Sequence, residues 1–169
     1  MSKTLVAYYS RTGENYVSGA LKKLSVGNTE VAAEFIKEIT GADTFKIEQA
    51  VPYSDGYNEC IEQAKRDQQS GARPKLKSLP DSIDKYDVIY LGYPNYWNTM
   101  PMAVFTFLEQ FDFTGKVIKP FCTHEGSGMG RSVSDIKSLC PNAEVQSGLA
   151  IFGSSVNRAK QDIERWIKR

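Results

Sequence analysis

The chain has 169 residues, of which 41% are hydrophobic and 24% charged, and its net charge is +1 at neutral pH. This length and composition suit one globular domain with a hydrophobic core, and the balanced charge argues against binding to nucleic acid or to a membrane surface. No stretch approaches the roughly 20 apolar residues of a membrane span, and no signal peptide precedes the first apolar run, so we expect a cytoplasmic protein.

The first half of the chain predicts two strands and two helices. A continuous apolar run at residues 5–9 is typical of a buried strand, and apolar residues at helical spacing predict a helix over 28–41. Residues 44–47 alternate only in part, which favours an edge strand. A second amphipathic helix is predicted to begin near residues 54–55 and to end at Gly71.

The second half predicts three more strands, each followed by a helix. Residues 88–91 are almost wholly apolar, as expected of a strand at the buried centre of a parallel sheet. Pro101 suits the first position of the next helix, which Thr114-Gly115 ends. In chain order the predicted strands and helices are 88–91, 101–113, 116–122, 132–140, 144–152 and 156–167.

Five strands that alternate with helices indicate a doubly wound parallel sheet. Such sheets bind ligands outside the carboxyl ends of their strands, at the point where the strand order reverses. The loops after the first, third and fourth strands are therefore the candidate ligand-binding loops.

The loop after the first strand is rich in hydroxyl groups. It reads Ser10-Arg11-Thr12-Gly13, and the next helix begins further on at Asn28-Thr29. Hydroxyls, a glycine and free amides at a helix N-terminus are typical of a phosphate site, although neither GxxxxGK[ST] nor GxGxxG is present. An ordinary Ser/Thr-rich turn that caps a helix is the alternative interpretation.

Aromatic residues crowd the loop after the third strand. It contains Pro94, Asn95, Tyr96, Trp97 and Asn98. Tyr96 or Trp97 could stack on a flat ring while the asparagines or the backbone bind its polar edge. The alternative is an aromatic cluster that only packs against the strand end.

The loop after the fourth strand is rich in glycine. It contains Thr123, His124, Glu125, Gly126, Ser127 and Gly128. Its glycines allow the backbone to approach a ligand closely, or they simply make a flexible turn. His124 could donate to a ring or titrate near neutral pH, or it could be an ordinary surface histidine.

Disulfide and metal sites are not expected. Cys60, Cys122 and Cys140 lie far apart with no CxxC pair, and His124 is the only histidine. A disulfide framework, a zinc site and a histidine-based metal centre all need closer or more numerous ligands.

Together the three loops resemble those of the flavodoxin family, over essentially the whole chain. In that family a Ser/Thr-x-Thr-Gly-Asn-Thr run after the first strand wraps the phosphate of FMN, and here residues 10–13 and 28–29 look like its two halves. The other two loops flank the isoalloxazine ring. The resemblance implies one domain, residues 1–169, folded as a flavodoxin-like three-layer α/β sandwich with a five-stranded parallel sheet in the order 2-1-3-4-5 and helices on both faces.

The resemblance also implies FMN as the cofactor and a set of residues that bind it. The candidate cofactor-binding residues are Ser10, Arg11, Thr12, Gly13, Asn28, Thr29, Pro94, Asn95, Tyr96, Trp97, Asn98, Thr123, His124, Glu125, Gly126, Ser127 and Gly128.

Two features depart from the family pattern. Residues 14–27 interrupt the phosphate run, and we interpret them as a surface hairpin around Gly19 whose ends must close. Closing a longer loop costs little, about 0.6 kcal/mol for each doubling of its length. The near-neutral charge differs from the strongly acidic flavodoxins that shuttle electrons to basic partners.

The leading functional hypothesis is an FMN-containing electron carrier between a reductase and an acceptor protein. The alternative is an FMN-dependent NAD(P)H oxidoreductase that acts on quinones or other small acceptors, in which Tyr96, Trp97 and His124 line the substrate pocket. A response-regulator receiver is set aside, because it needs an acidic pair after the first strand and an aspartate after the third. Neither hypothesis needs a covalent nucleophile, and both a monomer and a homodimer remain open.

Overall fold

A parallel sheet lies at the centre of the computed structural model, which describes residues 3–169. The strands are β1 (Thr4–Tyr8), β2 (Gly13–Val17), β3 (Ala20–Leu24), β4 (Asp43–Lys46), β5 (Val88–Pro94), β6 (Val117–His124), β7 (Glu144–Val145) and β8 (Leu149–Phe152). The α-helices are α1 (Asn28–Thr40), α2 (Tyr57–Ser70), α3 (Met102–Glu109), α4 (Ser132–Leu139) and α5 (Lys160–Ile167). A 3₁₀ helix, Gly153–Arg158, joins β8 to α5.

The strand order of the central sheet is β4-β1-β5-β6-β7, and β8 also pairs with β6. All of these pairs are parallel. If β7 and β8 are counted as one strand, the order is 2-1-3-4-5, and β4 is the edge strand. The predicted doubly wound, flavodoxin-like fold is confirmed.

Helices cover both faces of the sheet, because alternate side chains of each strand point to opposite sides. Val6 and Tyr8 of β1 pack in one core cluster with α1 and α5. Leu5 and Ala7 pack in the other cluster with α3 and α4. The result is a three-layer sandwich whose carboxyl-terminal edge carries the loops after β1, β5 and β6.

The predicted fifth strand, residues 144–152, is divided into two segments, and Pro120 explains the division. The amide of Gln146 donates to the carbonyl oxygen of Ile118, so the polar backbone groups of Ile118 face the fifth strand. Backbone groups two residues apart in a strand point the same way, so Pro120 faces the fifth strand as well. Proline has no N–H to donate, and the ladder stops there and resumes at β8.

The insertion forms a separate two-stranded antiparallel sheet from β2 and β3. Its turn is made by Ser18 and Gly19, with φ angles of 51° and 82°. Two positive φ angles at the central positions are typical of the tight turns that match strand twist. The segment interpreted as a hairpin around Gly19 therefore folds as one.

Helix α2 begins at Tyr57, later than the predicted start near residues 54–55. The hydroxyl of Ser54 accepts a hydrogen bond from the amide of Gly56 and makes a turn before the helix. The amide of Tyr57 is instead capped from the inserted hairpin, by Glu14 Oε1 at 2.9 Å. A contact between residues 43 positions apart is not visible in local sequence patterns.

No helix in the part of the chain that the structure describes is long and apolar enough to cross a membrane.

Candidate functional site

A cleft of about 270 Å³ lies where β1, β5 and β6 end, at the edge of the sheet that the topology predicts for a ligand. It is lined by Arg11, Asn15, Tyr16, Asn28, Thr29, Tyr57, Pro94, Asn95, Tyr96, Thr123, His124, Glu125, Ser127 and Gly153. The three predicted loops therefore meet at one site, together with residues from the insertion and from two further loops.

The two halves of the hydroxyl-rich run come together through Gly27. A Cβ atom at this position would overlap Ser10 Oγ and lie 2.6 Å from the carbonyl oxygen of Arg11. Only glycine allows so close an approach of the two backbone segments. The ends of the insertion are thus closed, and Asn28 and Thr29 begin α1 beside Arg11 at the cleft.

The hydroxyls of Ser10 and Thr12 are not part of the cleft lining. Ser10 Oγ accepts a hydrogen bond from the amide of Glu30 at 3.1 Å, and so caps the first turn of α1. Thr12 is exposed. Both residues line a neighbouring groove of about 300 Å³.

Two amides at the start of α1 have no hydrogen-bond acceptor among residues 3–169. The first amides of a helix have no acceptor within it, and the N-terminus of the helix favours negative charge. The amide of Glu30 is bound by Ser10 and that of Val31 donates to the carbonyl oxygen of Gly27. The amides of Asn28 and Thr29 precede these and lie at the cleft.

The floor of the cleft is tied together by two threonine hydroxyls. Thr29 Oγ1 and Thr123 Oγ1 are 2.8 Å apart, and the two residues are 1% and 4% exposed. This hydrogen bond joins the start of α1 to the end of β6. Next to it, a Cβ atom on Gly153 would overlap the side-chain amide of Asn28.

Asn95 holds the loop after β5 against the loop after β6. Its amide donates to the carbonyl oxygen of Thr123 at 2.9 Å, and its Nδ2 donates to the carbonyl oxygen of Gly128 at 2.8 Å. Its Oδ1 accepts a hydrogen bond from the amide of Asn98. Asn95 therefore braces this wall of the cleft.

Tyr96 lines the cleft and packs edge-on against Tyr9, with the ring centroids 5.9 Å apart. Its hydroxyl is buried and finds no hydrogen-bond partner among residues 3–169. Burial raises the pKa of Tyr96 well above its ordinary value of 10, so the group stays neutral.

Trp97 and Asn98 lie outside the cleft. They occupy a tight turn with φ angles of 52° and 74°. Trp97 Nε1 donates to the carbonyl oxygen of Ile61 in α2 at 2.8 Å, and the carbonyl oxygen of Asn98 accepts from the amide of Arg131 at 2.8 Å. Of the two aromatic candidates for stacking, Tyr96 is the one at the cleft.

The loop after β6 forms the opposite wall. His124 Nδ1 accepts a hydrogen bond from the amide of Gly126 at 2.8 Å, and the imidazole packs against Phe152 with ring centroids 4.5 Å apart. Burial lowers the pKa of His124 below its ordinary value of 6.5, and the nearby Glu125 offsets this only in part. Because His124 Nδ1 accepts this hydrogen bond, the imidazole at this wall is neutral.

Ten of the predicted residues line the cleft, and seven do not. The seven that do not are Ser10, Thr12, Gly13, Trp97, Asn98, Gly126 and Gly128. Four lining residues were missed by sequence reasoning, namely Asn15, Tyr16, Tyr57 and Gly153. The first two are in the insertion and the last two follow β4 and β8, the outer strands, whose loops the topological rule does not single out.

These residues fit a ligand that has an anionic group at one end and a flat ring with polar atoms at the other. The amides of Asn28 and Thr29 suit the anion. The aromatic rings of Tyr16, Tyr57 and Tyr96 suit the ring.

Comparison with known proteins supports the fold described above. The family model described as Flavodoxin matches residues 3–169. A presumed flavoprotein from Bacteroides eggerthii superposes with a TM-score of 0.80 at 29% identity, over 99% of this chain and 97% of that one. A presumed flavoprotein from Bacteroides uniformis gives 0.78 at 28% identity, over 99% of both chains.

A third solved structure, a Lactobacillus acidophilus flavoprotein in complex with FMN, shows the same fold. Its TM-score is 0.66 at 20% identity, over 94% of this chain and 98% of that one. Among curated proteins no sequence gives a significant match.

Proposed function

This chain belongs to the flavodoxin family, and from that premise we propose that it binds FMN in the cleft and carries electrons between partner proteins. The observation that supports this proposal is the pairing of free amides at the start of α1 with aromatic walls in one cleft. An anion site and a ring site side by side match a flavin mononucleotide.

Residues of this chain would hold the two ends of FMN separately. The amides of Asn28 and Thr29 would bind the phosphate. Pro94 and Tyr96 on one side would flank the ring, and the other side would be formed by Thr123, His124, Glu125 and Ser127. When bound, FMN supplies the one- and two-electron chemistry, and the protein supplies binding and electrostatics.

The balanced charge of the chain bears on its partners. With 21 basic and 20 acidic residues, long-range attraction to a strongly charged partner is weak. A protein partner would therefore recognise the short-range surface around the cleft, and its association would depend little on ionic strength.

A second candidate function is supported by a side cavity. A space of about 250 Å³ shares Arg11, Asn15, Tyr57, Asn95 and Tyr96 with the main cleft. Its remaining walls are Cys60, Ile61, Ala64 and Trp97. Such a cavity could hold a small apolar acceptor next to the cofactor, as an FMN-dependent NAD(P)H oxidoreductase would require.

Titration of the apoprotein with flavins tests the cofactor assignment. FMN is expected to bind at least about tenfold more tightly than riboflavin, because only FMN carries the phosphate that the α1 amides would bind. Equal affinity for both flavins would contradict the phosphate site. A protein that cannot be reconstituted with FMN at all would contradict the proposed function.

Anaerobic reduction then distinguishes the two candidates. A carrier should keep its oxidised flavin absorbance when NADPH or NADH is added alone, and should bleach only after a separate reductase is supplied. Rapid bleaching by the nicotinamide alone would instead support the oxidoreductase.

A further inference from the structure

The insertion between the two halves of the phosphate run is packed on the cleft itself. The hairpin of β2 and β3 leaves the loop after β1 at Gly13 and returns at Gly27, which is pressed against Arg11. Both ends of the hairpin are therefore fixed at the end of the cleft where the phosphate would bind. Its two strands must then lie over the neighbouring part of the cleft.

Hydrogen bonds attach the hairpin to one side of the cleft. Glu14 Oε1 accepts from the amide of Tyr57 at 2.9 Å, at the start of α2. Arg11 Nε donates to the carbonyl oxygen of Glu14 at 2.9 Å, and Arg11 Nη2 donates to the carbonyl oxygen of Asp55 at 2.9 Å. The base of the hairpin is thus tied to the segment that leads into α2.

The tip of the hairpin is attached to the opposite side. The amide of Ser18 donates to Glu125 Oε1 at 3.1 Å, across 107 positions of sequence. Glu125 belongs to the loop after β6 and lines the cleft, as Tyr57 does on the α2 side. A hairpin that is bonded to both of these residues bridges the mouth of the cleft.

Two residues of the hairpin contribute directly to the lining of the cleft. They are Asn15 and Tyr16. The ring of Tyr16 lies beside that of Tyr57, with centroids 6.2 Å apart and an interplanar angle of 30°. Tyr16 is nevertheless 45% exposed, so the packing of the hairpin does not bury it. A half-exposed aromatic ring that faces a ligand cleft is available to cover a ligand.

We infer that the hairpin is a built-in part of the cofactor site, with Tyr16 covering the bound flavin at the mouth of the cleft. This inference rests on the proposed FMN site. It assigns a role to residues 14–27, and it makes Tyr16 a cofactor-binding residue supplied by the same chain.

The test compares FMN binding by Tyr16→Ala, Tyr16→Phe and Leu21→Ala. Leu21 is the matched control, because it pairs with Tyr16 across the hairpin, is 46% exposed and does not line the cleft. We expect Tyr16→Ala to raise the dissociation constant of FMN about three- to tenfold, the usual range for loss of an aromatic contact. Tyr16→Phe and Leu21→Ala should bind FMN as the wild-type protein does.

Hydrogen exchange of the wild-type protein supplies a second measurement. FMN should slow the exchange of amides in residues 14–18, with α5, none of whose residues lines the cleft, as an internal reference. Unchanged exchange there, or wild-type affinity in Tyr16→Ala, would overturn the inference. Equal weakening by Leu21→Ala would also overturn it, because the effect would then come from the stability of the hairpin. Failure of the wild-type protein to bind FMN would instead contradict the proposed function.

Discussion

The walls of the cleft made by the loops after β5 and β6, and the hairpin that bridges its mouth, are held to the fold in different ways. The walls are anchored in the core, where Tyr93 and Ser132 are both fully buried and their hydroxyls are 2.8 Å apart. The hairpin is anchored by only one buried side chain among its described residues, Val17. Most of its side chains are exposed or half-buried, and hydrogen bonds to exposed or half-buried groups attach it.

Because of this difference, substitutions in the core walls and in the hairpin should affect the free energy of unfolding and cofactor binding to different extents. Burial of polar groups in the core wall makes each of their hydrogen bonds costly to break. Hydrogen bonds at the hairpin compete with water, so breaking them should change the cleft more than the free energy of unfolding. The substitutions below test that contrast, beginning with the residue where the two sides meet.

The largest effect is expected for Gly27→Ala, since the new methyl group would overlap Ser10 and Arg11. Forcing the two backbone segments apart should lower the free energy of unfolding by about 1–3 kcal/mol. It should also weaken FMN binding, which flavin titration would measure. Gly56→Ala is the matched control, because Gly56 also precedes a helix and has 3.5 Å of room to its nearest neighbour. Equal effects of both changes would contradict the steric explanation.

A smaller effect is expected for Thr123→Val, which leaves the buried hydroxyl of Thr29 without its partner. Loss of this hydrogen bond should cost about 1–2 kcal/mol in denaturant unfolding. The double variant Thr29→Val/Thr123→Val should recover much of this loss, because no buried hydroxyl then remains unpaired. Strictly additive losses in the double variant would contradict coupling of the two hydroxyls.

Glu14→Ala tests the hairpin side of the comparison. Removal of the carboxylate that caps Tyr57 should cost about 0.5–1 kcal/mol, the usual effect of losing a helix cap. Hydrogen exchange should quicken at the start of α2 and not in β5. Glu62→Ala, an exposed glutamate on the same helix, is the control and should leave the start of α2 unchanged. If β5 exchanged faster as well, the hairpin would be coupled to the core wall.

The smallest effect concerns His124, whose single imidazole signal can be followed by NMR titration. Its pKa should lie below 6.5, because burial disfavours the charged ring. Between that lowered pKa and 6.5 the unfolded chain binds more protons than the folded one, so stability should decrease slightly as pH falls through this window. His124→Gln should abolish this component of the pH dependence. A measured pKa above 6.5 would contradict the burial of the ring.

Much of the fold could be predicted from local sequence patterns. The apolar runs at residues 5–9 and 88–91 correspond to β1 and β5, and the helical spacing that ends at Gly41 corresponds to α1. Gly41 adopts a φ angle of 71° after α1, as expected of a glycine that ends a helix. These features depend on residues that are neighbours in sequence, so the sequence alone reveals them.

The division of the fifth strand could not be predicted in that way. The sequence predicts one strand over 144–152, whereas the structure interrupts it at residues 146–148, opposite Pro120 on the neighbouring strand. Its effect depends on which way the backbone groups of β6 face. That direction is set only when the strands are paired in register.

The sequence by itself predicted the strands, the helices and the three loops that meet at the cleft, because these patterns are local, and the resemblance of those loops to the flavodoxin family implied the strand order. Only the tertiary structure decided which side chains line the cleft. Gly27 leaves room for Ser10 Oγ to accept a hydrogen bond from the amide of Glu30, and the hairpin brings Tyr16 beside Tyr57. The direction of a side chain in a loop depends on backbone dihedral angles and on partners distant in sequence, and these are fixed only by packing.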